Sequence, residues 1–368
     1  MNFDLSDEQK MLKDQVSRML LDRAPPARLR ELIDAGQDWD PDLWRALADM
    51  GLLGAAIPAE YGGLGLGEID LCVIAGEIGR AVAPVPFFSS ICLAAEAIRL
   101  AGSAAQKARW LPGLASGEVV GCLAVNEGRG FAGDRLEAAV SGDRLSGVKW
   151  PVSDAGVADI AVVVAVENGR TVLGLVDLQG PGVTCERLKG FDELRPHHRL
   201  AFSDAAFEAM TEADAAQVLK ALYDRAAVYV AFEQIGGAEA CLWMARDYAL
   251  ERRVFGRKLA SYQAVKHNLA DLYVYCELAR SNAYWAAWAM ETGSDQLPAA
   301  AASARVSATW AHEQAARENL QTHGGVGFTW AADCHFHYRR ARLLALNVGA
   351  EEVWADRLVG ALAGGDAR

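Results

Sequence analysis

The hydrophobic pattern of this chain changes period twice, near residue 119 and again near 213, and that double switch constrains the fold more than any single motif. Ahead of the first switch the spacing is helical. A capping box opens it, with Ser6 followed three residues on by Gln9, and Leu12, Val16, Met19 and Leu20 fall on one face of the helix behind it. Asp40-Pro41 is a second helix start, an N-cap followed by a proline at the first helical position, and Gly51 is its stop. Alanine-rich apolar stretches at 68–82, 89–102 and 104–115 continue the pattern. Between 119 and 210, valine-rich runs take over. Asp159–Val166 and Thr171–Leu178 flank Asn168-Gly169, a type I′ hairpin signal, and Ser141-Gly142-Asp143 and Gly180-Pro181-Gly182 read as further turns. Long helix-periodic blocks then return at 213–250, 262–292, 297–322 and 338–364, lengths that suit an antiparallel bundle. The expected fold is α+β: an N-terminal helical domain over residues 1–116, a mainly antiparallel β domain over 117–212 and a four-helix bundle over 213–368.

Composition removes several classes of function. A formal net charge of -12 and a pI near 5.1 repel phosphate backbones and anionic lipid, so nucleic acid and membrane surfaces are not expected partners. No apolar run approaches the roughly 18 residues that a bilayer requires. The acidic start, with Asp4, Asp7 and Glu8, does not resemble a signal peptide, and a cytoplasmic protein is expected. The seven cysteines are scattered, never in a C-x-x-C pair, and read as reduced core residues.

Two glycine clusters and a histidine pair invite functional readings that their context does not support. The run Tyr61-Gly-Gly-Leu-Gly-Leu-Gly67 follows a helix rather than a strand, with no βαβ unit around it, so an interhelical loop is expected instead of a dinucleotide site. Gly324-Gly325-Val326-Gly327 fails the same test. His335 and His337 would point one way only on a strand, and no thiolate or carboxylate stands at zinc-like spacing beside them, so no metal site is expected. No G-x-S-x-G elbow is present to support a hydrolase.

Several local sequences, in register along nearly the whole chain, together resemble the acyl-CoA dehydrogenases. They are Ile57-Pro-Ala-Glu-Tyr-Gly-Gly-Leu-Gly-Leu66, Gly76-Glu-Ile-Gly79, Ala124-Val-Asn-Glu127 with Gly133-Asp134, Gly147-Val-Lys149, Arg252-Arg-Val-Phe-Gly256 leading to Tyr262-Gln-Ala-Val-Lys-His267, and Gln321-Thr-His-Gly-Gly-Val-Gly-Phe328. The resemblance implies an FAD enzyme that oxidises the Cα–Cβ bond of an acyl-CoA thioester and passes electrons to an electron-transfer flavoprotein. That chemistry needs a carboxylate for the α proton, donors on the thioester carbonyl, and a flavin placed to accept the β hydride.

By the same resemblance, Arg252 and Phe255 form an FAD-holding pair, the guanidinium reaching a flavin seated largely in a neighbouring subunit. Gln263, Gln321, Gly324 and Gly325 complete the adenine side of that cradle. The flavin-ring side departs from the family. Asn126 stands where a threonine commonly donates to the ring, Gly128 where proline is usual, and Pro151 where tryptophan is usual, while Ser153 keeps a hydroxyl for flavin N5.

The largest departure is at the base. Many members carry a Y-E-G-T motif where this chain has Asn347-Val-Gly-Ala350, and the alternative base position aligns near Ala226. Neither Val348 nor Ala226 can take a proton. Glu233 lies about two helical turns beyond Ala226 among apolar neighbours, and reads either as a base with a raised pKa or as a satisfied structural ion; Asp224, beside Arg225, reads first as a helix-start charge. Three assemblies follow: a subunit paired with a homologous chain that supplies the base, as in heterotetrameric members acting on bulky esters such as steroid side chains; a self-sufficient homo-oligomer using Glu233; or a catalytically silent structural subunit.

Overall fold

The computed structural model describes residues 5–128 and 135–363. Helices α1 (Asp7–Arg23), α2 (Pro26–Asp34), α3 (Pro41–Asp49), α4 (Glu68–Arg80), α5 (Glu96–Ala101) and α6 (Ala104–Ser116) precede the sheet. Both expected starts are built as the sequence implies. Ser6 Oγ accepts from Gln9 N–H at 3.2 Å while Gln9 Oε1 accepts from Ser6 N–H at 3.1 Å, and Asp40 Oδ1 accepts from the N–H groups of Asp42 and Leu43 at 3.1 and 3.2 Å. α3 ends one residue before Met50, and Gly51 turns the chain with φ +73°. The glycine run after Tyr61 is an interhelical loop: a Cβ on Gly63 would lie 2.0 Å from the Ile57 carbonyl oxygen. The stretch Phe88–Ala95, expected as ordinary helix, is wound as a wider π-helix and is buried on every side.

Strands β1 (Gly121–Ala124), β2 (Ala139–Ser141), β3 (Arg144–Ser153), β4 (Ile160–Glu167), β5 (Arg170–Asp177), β6 (Val183–Leu188), β7 (His197–Ala206) and β8 (Glu208–Met210) form one sheet in the order β6-β7-β3-β2-β4-β5-β8, with β1 also beside β4. The ladders β2/β3, β3/β7, β4/β5, β5/β8 and β6/β7 are antiparallel; β1/β4 and β2/β4 are parallel, so the sheet is mixed with an antiparallel majority. The Asn168-Gly169 turn has both residues at positive φ, +50° and +76°, and pairs Glu167 with Arg170 across it. β4 is buried on both faces along Ile160–Ala165, which is why it reads as a continuous apolar run rather than an alternating one.

Helices α7 (Ala215–Glu251), α8 (Gln263–Glu291), α9 (Leu297–His323), α10 (Cys334–Leu346) and α11 (Glu351–Leu362) follow. The last expected block is thus two helices. The break falls at Asn347–Ala350, where Val348 and Gly349 take φ +59° and +98°, values an α-helix cannot contain.

The residues divide into two compact units: one gathers the chain up to Arg28, Glu68–Ala83 and everything from Ala227 on, and the other gathers Leu29–Gly67 and Pro84–Ala226. In the first, α4 and α7 cross with their backbones touching. A Cβ on Gly79 would lie 2.0 Å from Glu233 O, and one on Gly236 would lie 1.8 Å from Gly76 O, so only glycine serves at these crossing points. In the second, the π-helix lies against β1, where Ser90 Oγ accepts from Gly121 N–H at 3.0 Å, and Gln106 of α6 donates to the Ala209 carbonyl at 3.0 Å. Of the cysteines, Cys185 is exposed, contrary to the expectation of a core position, because β6 at the sheet edge turns most of its side chains to solvent; the other six are buried, and all seven are free thiols.

Candidate active site

At one end of the helical bundle three chain segments meet: the end of α7, the start of α8 and the end of α9. Tyr248 stacks on His323 with ring centroids 4.1 Å apart, and Asn268 donates to Glu318 at 3.3 Å, tying that end together. Arg252 leaves α7 here, and its guanidinium, exposed, has no hydrogen-bond or ion-pair partner among the described residues. A two-strand hairpin, Arg253–Val254 against Arg257–Lys258, then presents Phe255 with φ +49° and 94% of its surface exposed. Gln263 is the first residue of α8 and Gln321 lies in the last turn of α9; both are exposed, and neither side chain has a partner among the described residues. Behind Gln321, Gly324 takes φ +62°, and a Cβ at Gly324 or Gly325 would meet no atom within 4 Å. An unpaired guanidinium, two free carboxamides and open glycine backbone make a donor set that suits a dinucleotide with its pyrophosphate.

The sheet holds the other residues the sequence singled out. Glu127 and Lys149 form an ion pair beneath them. Lys149, fully buried, also donates to the Val125 carbonyl at 3.1 Å, and Glu127 accepts from the backbone N–H groups of Glu137 and Ala138 at 2.6 and 3.1 Å. Burial lowers the Lys149 pKa, and Glu127 opposes that shift. This clamp holds the segment of Asn126 against β3: Trp150 N–H donates to Asn126 O and Gly128 N–H to Trp150 O, both at 2.8 Å. The Asn126 side chain, half-buried, has no partner among the described residues. The segment containing Gly133-Asp134 lies outside the described residues.

Pro151 follows an aromatic residue, Trp150. Lacking an N–H, it interrupts the β3/β7 ladder between Lys149 and Val152, and Trp150 is turned so that its ring covers Gly128. A Cβ on Gly128 would lie 2.7 Å from Trp150 Cζ2, and Gly128 takes φ +95°, which proline cannot adopt. The two departures at 128 and 151 are therefore one rearrangement. Ser153 Oγ lies 3.1 Å from His197 Nε2 on β7.

Glu233 is buried within α7, and its carboxylate pairs with Arg340 of α10 at 3.4 Å. Ala226 is fully buried. Val348 sits in the turn between α10 and α11, and its left-handed backbone is held from two sides. Arg305, buried on α9, donates to the carbonyls of Leu344, Asn347, Ala345 and Gly349 at 2.6, 2.8, 3.3 and 3.3 Å, while Trp354 Nε1 donates to Val348 O at 2.8 Å. Burial draws the Arg305 pKa down to about 9, still charged at neutral pH, and its second nitrogen donates to Gln234 at 2.8 Å. Sequence reasoning gave Arg305 no role; the signal was a lone arginine in an alanine-rich helical run. Lys149 and Glu127 stood in the quoted motifs without roles, and His197 carried no signal. His335 and His337 fall two apart on a helix, the first stacked on Trp330 and the second buried, and no histidine, cysteine and carboxylate cluster suited to a metal occurs among the described residues.

The family model "Acyl-CoA dehydrogenase, N-terminal domain" matches residues 6–118, and "Acyl-CoA dehydrogenase, C-terminal domain" matches residues 215–362. The chain belongs to the acyl-CoA dehydrogenase family. Among its relatives, the acyl-CoA dehydrogenase IpdE2 of Mycobacterium tuberculosis is 32% identical over 336 residues, covering 91% of each chain. The solved "Tcur3481-Tcur3483 steroid ACAD G363A variant" is 31% identical with a TM-score of 0.89, over 98% of this chain and 99% of that one. The ChsE4-ChsE5 complex from Mycobacterium tuberculosis is 28% identical with a TM-score of 0.90, over 99% of both. Acyl-CoA dehydrogenases are oxidoreductases. No helix among the described residues is long and apolar enough to cross a membrane.

Proposed function

We propose that this chain is an FAD-dependent acyl-CoA dehydrogenase subunit that introduces an α,β double bond into an acyl-CoA thioester, working with a homologous chain that supplies the base. One observation carries the proposal: the bundle-end donors Arg252, Gln263 and Gln321 are present and unpaired, while both aligned base positions are aliphatic and Glu233 is bound to Arg340. In this reading Arg252, Phe255 and the Gln321–Gly325 turn hold the dinucleotide end of an FAD seated largely in a neighbouring subunit, while Asn126 and Ser153 face the ring of the FAD seated in this one. Bound FAD would supply the hydride acceptor. The residues of this chain orient it and exclude water, and Glu233 serves as the counter-ion of Arg340 rather than as a base. Two relatives named for a steroid enzyme and for a ChsE4-ChsE5 complex support a bulky ester as substrate and a paired assembly. An electron-transfer flavoprotein is the proposed acceptor and the cytoplasm the proposed location.

The test is dye reduction with several acyl-CoA esters on the isolated chain, on the chain coexpressed with a homologous partner, and on Glu233→Gln in both settings. Losing a positioned base forfeits about 10² to 10⁴ in rate, so turnover is expected only in the pair and is expected to survive Glu233→Gln. Robust turnover by the isolated chain, abolished by Glu233→Gln, would replace the paired assembly with a self-sufficient one. Absence of flavin and turnover in every setting would leave a structural subunit.

A further inference from the structure

The contact between Ser153 and His197 sets the direction of a hydroxyl that the family resemblance places at flavin N5. We infer that His197 is a positioning residue that accepts the Ser153 hydroxyl proton, turning the oxygen lone pairs of Ser153 toward the flavin and so favouring reduced over oxidised cofactor. The inference rests on the proposed FAD function.

The geometry is specific. Ser153 ends β3 and His197 begins β7; the two residues are register partners in an antiparallel ladder, and Oγ lies 3.1 Å from Nε2. A neutral imidazole has one N–H and one bare nitrogen. The Arg195 backbone beside the ring raises its proton affinity, which favours placing the one N–H at Nδ1; with the proton there, the nitrogen facing Ser153 is the acceptor and the hydroxyl is the donor. Protonation would undo this arrangement. Burial first, and the nearby Arg195 charge second, push the His197 pKa down to about 4, so the ring is neutral at physiological pH.

A serine hydroxyl has one proton to give. The N5 atom of oxidised flavin accepts a hydrogen bond, whereas N5–H of reduced flavin donates one. A hydroxyl already donating to His197 meets the oxidised form with a lone pair and the reduced form with a proper acceptor. An unpaired hydroxyl would rotate to satisfy either form, so the discrimination belongs to His197.

Two measurements test this on the full chain, coexpressed with its partner if flavin retention requires one. Long-range ¹H–¹⁵N spectra at pH 7 should show His197 neutral and protonated at Nδ1; protonation at Nε2 overturns the inference without any flavin. The ratio of oxidised to reduced FAD dissociation constants should fall about 2- to 10-fold in His197→Leu, the equivalent of one net hydrogen bond, with a lower midpoint potential. In a Ser153→Ala background His197→Leu should have no such effect, whereas a merely structural histidine would act equally in both. An unchanged ratio in a variant that still binds FAD overturns the inference and leaves the FAD function standing. A protein that holds no FAD in any assembly overturns both.

Discussion

Glu233 within α7 and Arg252 just past its end are both charged residues singled out by sequence, and their surroundings give them opposite characters. Arg252 is exposed and unpaired among the described residues, so its removal leaves no orphaned partner. Arg252→Ala is expected to leave helix content and unfolding within about 0.5 kcal/mol of wild type while lowering FAD retained through gel filtration. Unchanged flavin stoichiometry would remove Arg252 from the cofactor site. Glu233 faces Arg340 in the interior, and deleting one member of a buried pair removes a counter-charge that the other cannot replace with water. Glu233→Ala is expected to destabilise by about 3 to 5 kcal/mol, and Glu233→Ala with Arg340→Met by much less, as read by urea unfolding. Equal losses in the single and double variants would show that the pair itself does not account for the cost. The sequence marked Glu233 as a lone carboxylate among apolar residues, and the structure supplies the partner 107 positions away that decides its character. No spacing rule reaches that far. The same limit hid His197, whose register with Ser153 is a property of the sheet, and the role of Trp150, which required knowing where the ladder is interrupted.

The crossing of α4 and α7 carries the next prediction. Gly79 and Gly236 let the two backbones touch, and a methyl at Gly79 would meet the Glu233 carbonyl, an atom of a helix backbone that cannot move aside alone. Gly79→Ala is expected to cost about 3 kcal/mol or more, whereas Gly325→Ala, with no atom within 4 Å of the added carbon, should fall within about 1 kcal/mol of wild type. Comparable unfolding midpoints for the two variants would contradict the close crossing. Helix starts were legible because a cap is a local device: Ser6 and Gln9 satisfy each other's N–H groups and Asp40 satisfies those of Asp42 and Leu43, all within three residues. The Asn168-Gly169 turn was legible for the same reason, its positive φ values being intrinsic to those residues. The break at Asn347–Ala350 was not, since Val348 disfavours the left-handed region it occupies and is held there by Arg305 and Trp354 from other helices. The π-helix at Phe88–Ala95 was equally hidden, because an element buried on every side shows no hydrophobic period.

Over the whole molecule, periodicity located helix, sheet and helix along the chain. It did not reveal that each compact unit is assembled from separated segments, because amphipathic period names a buried face and not the helix that covers it. The buried polar groups that this assembly brings together set the response to acid. His312 of α9 is fully buried against Gly237 of α7, and His337 lies close by on α10 with Arg340 on the same helix. Burial first, then neighbouring positive charge, lowers the pKa of His312 to about 3 and of His337 to about 4, from 6.5; Asp333 opposes the shift at His337 without reversing it. Both rings are therefore neutral in the folded protein while the unfolded chain takes up protons below pH 6.5. The unfolded state binds more protons across that interval, so stability rises with pH. It is fully present above about pH 7 and is lost as pH falls from 6.5 toward 4. At pH 5 each of these two histidines accounts for a loss of about 2 kcal/mol. Urea unfolding at pH 7.5, 6 and 5 should show this decline, and His312→Leu, which removes one titrating ring, should lessen it by roughly 2 kcal/mol at pH 5 whatever its effect at pH 7.5. Stability independent of pH between 7.5 and 5 in the wild type would mean that these rings reach solvent, and the packing of α9 and α10 against α7 would have to be looser than the structure shows.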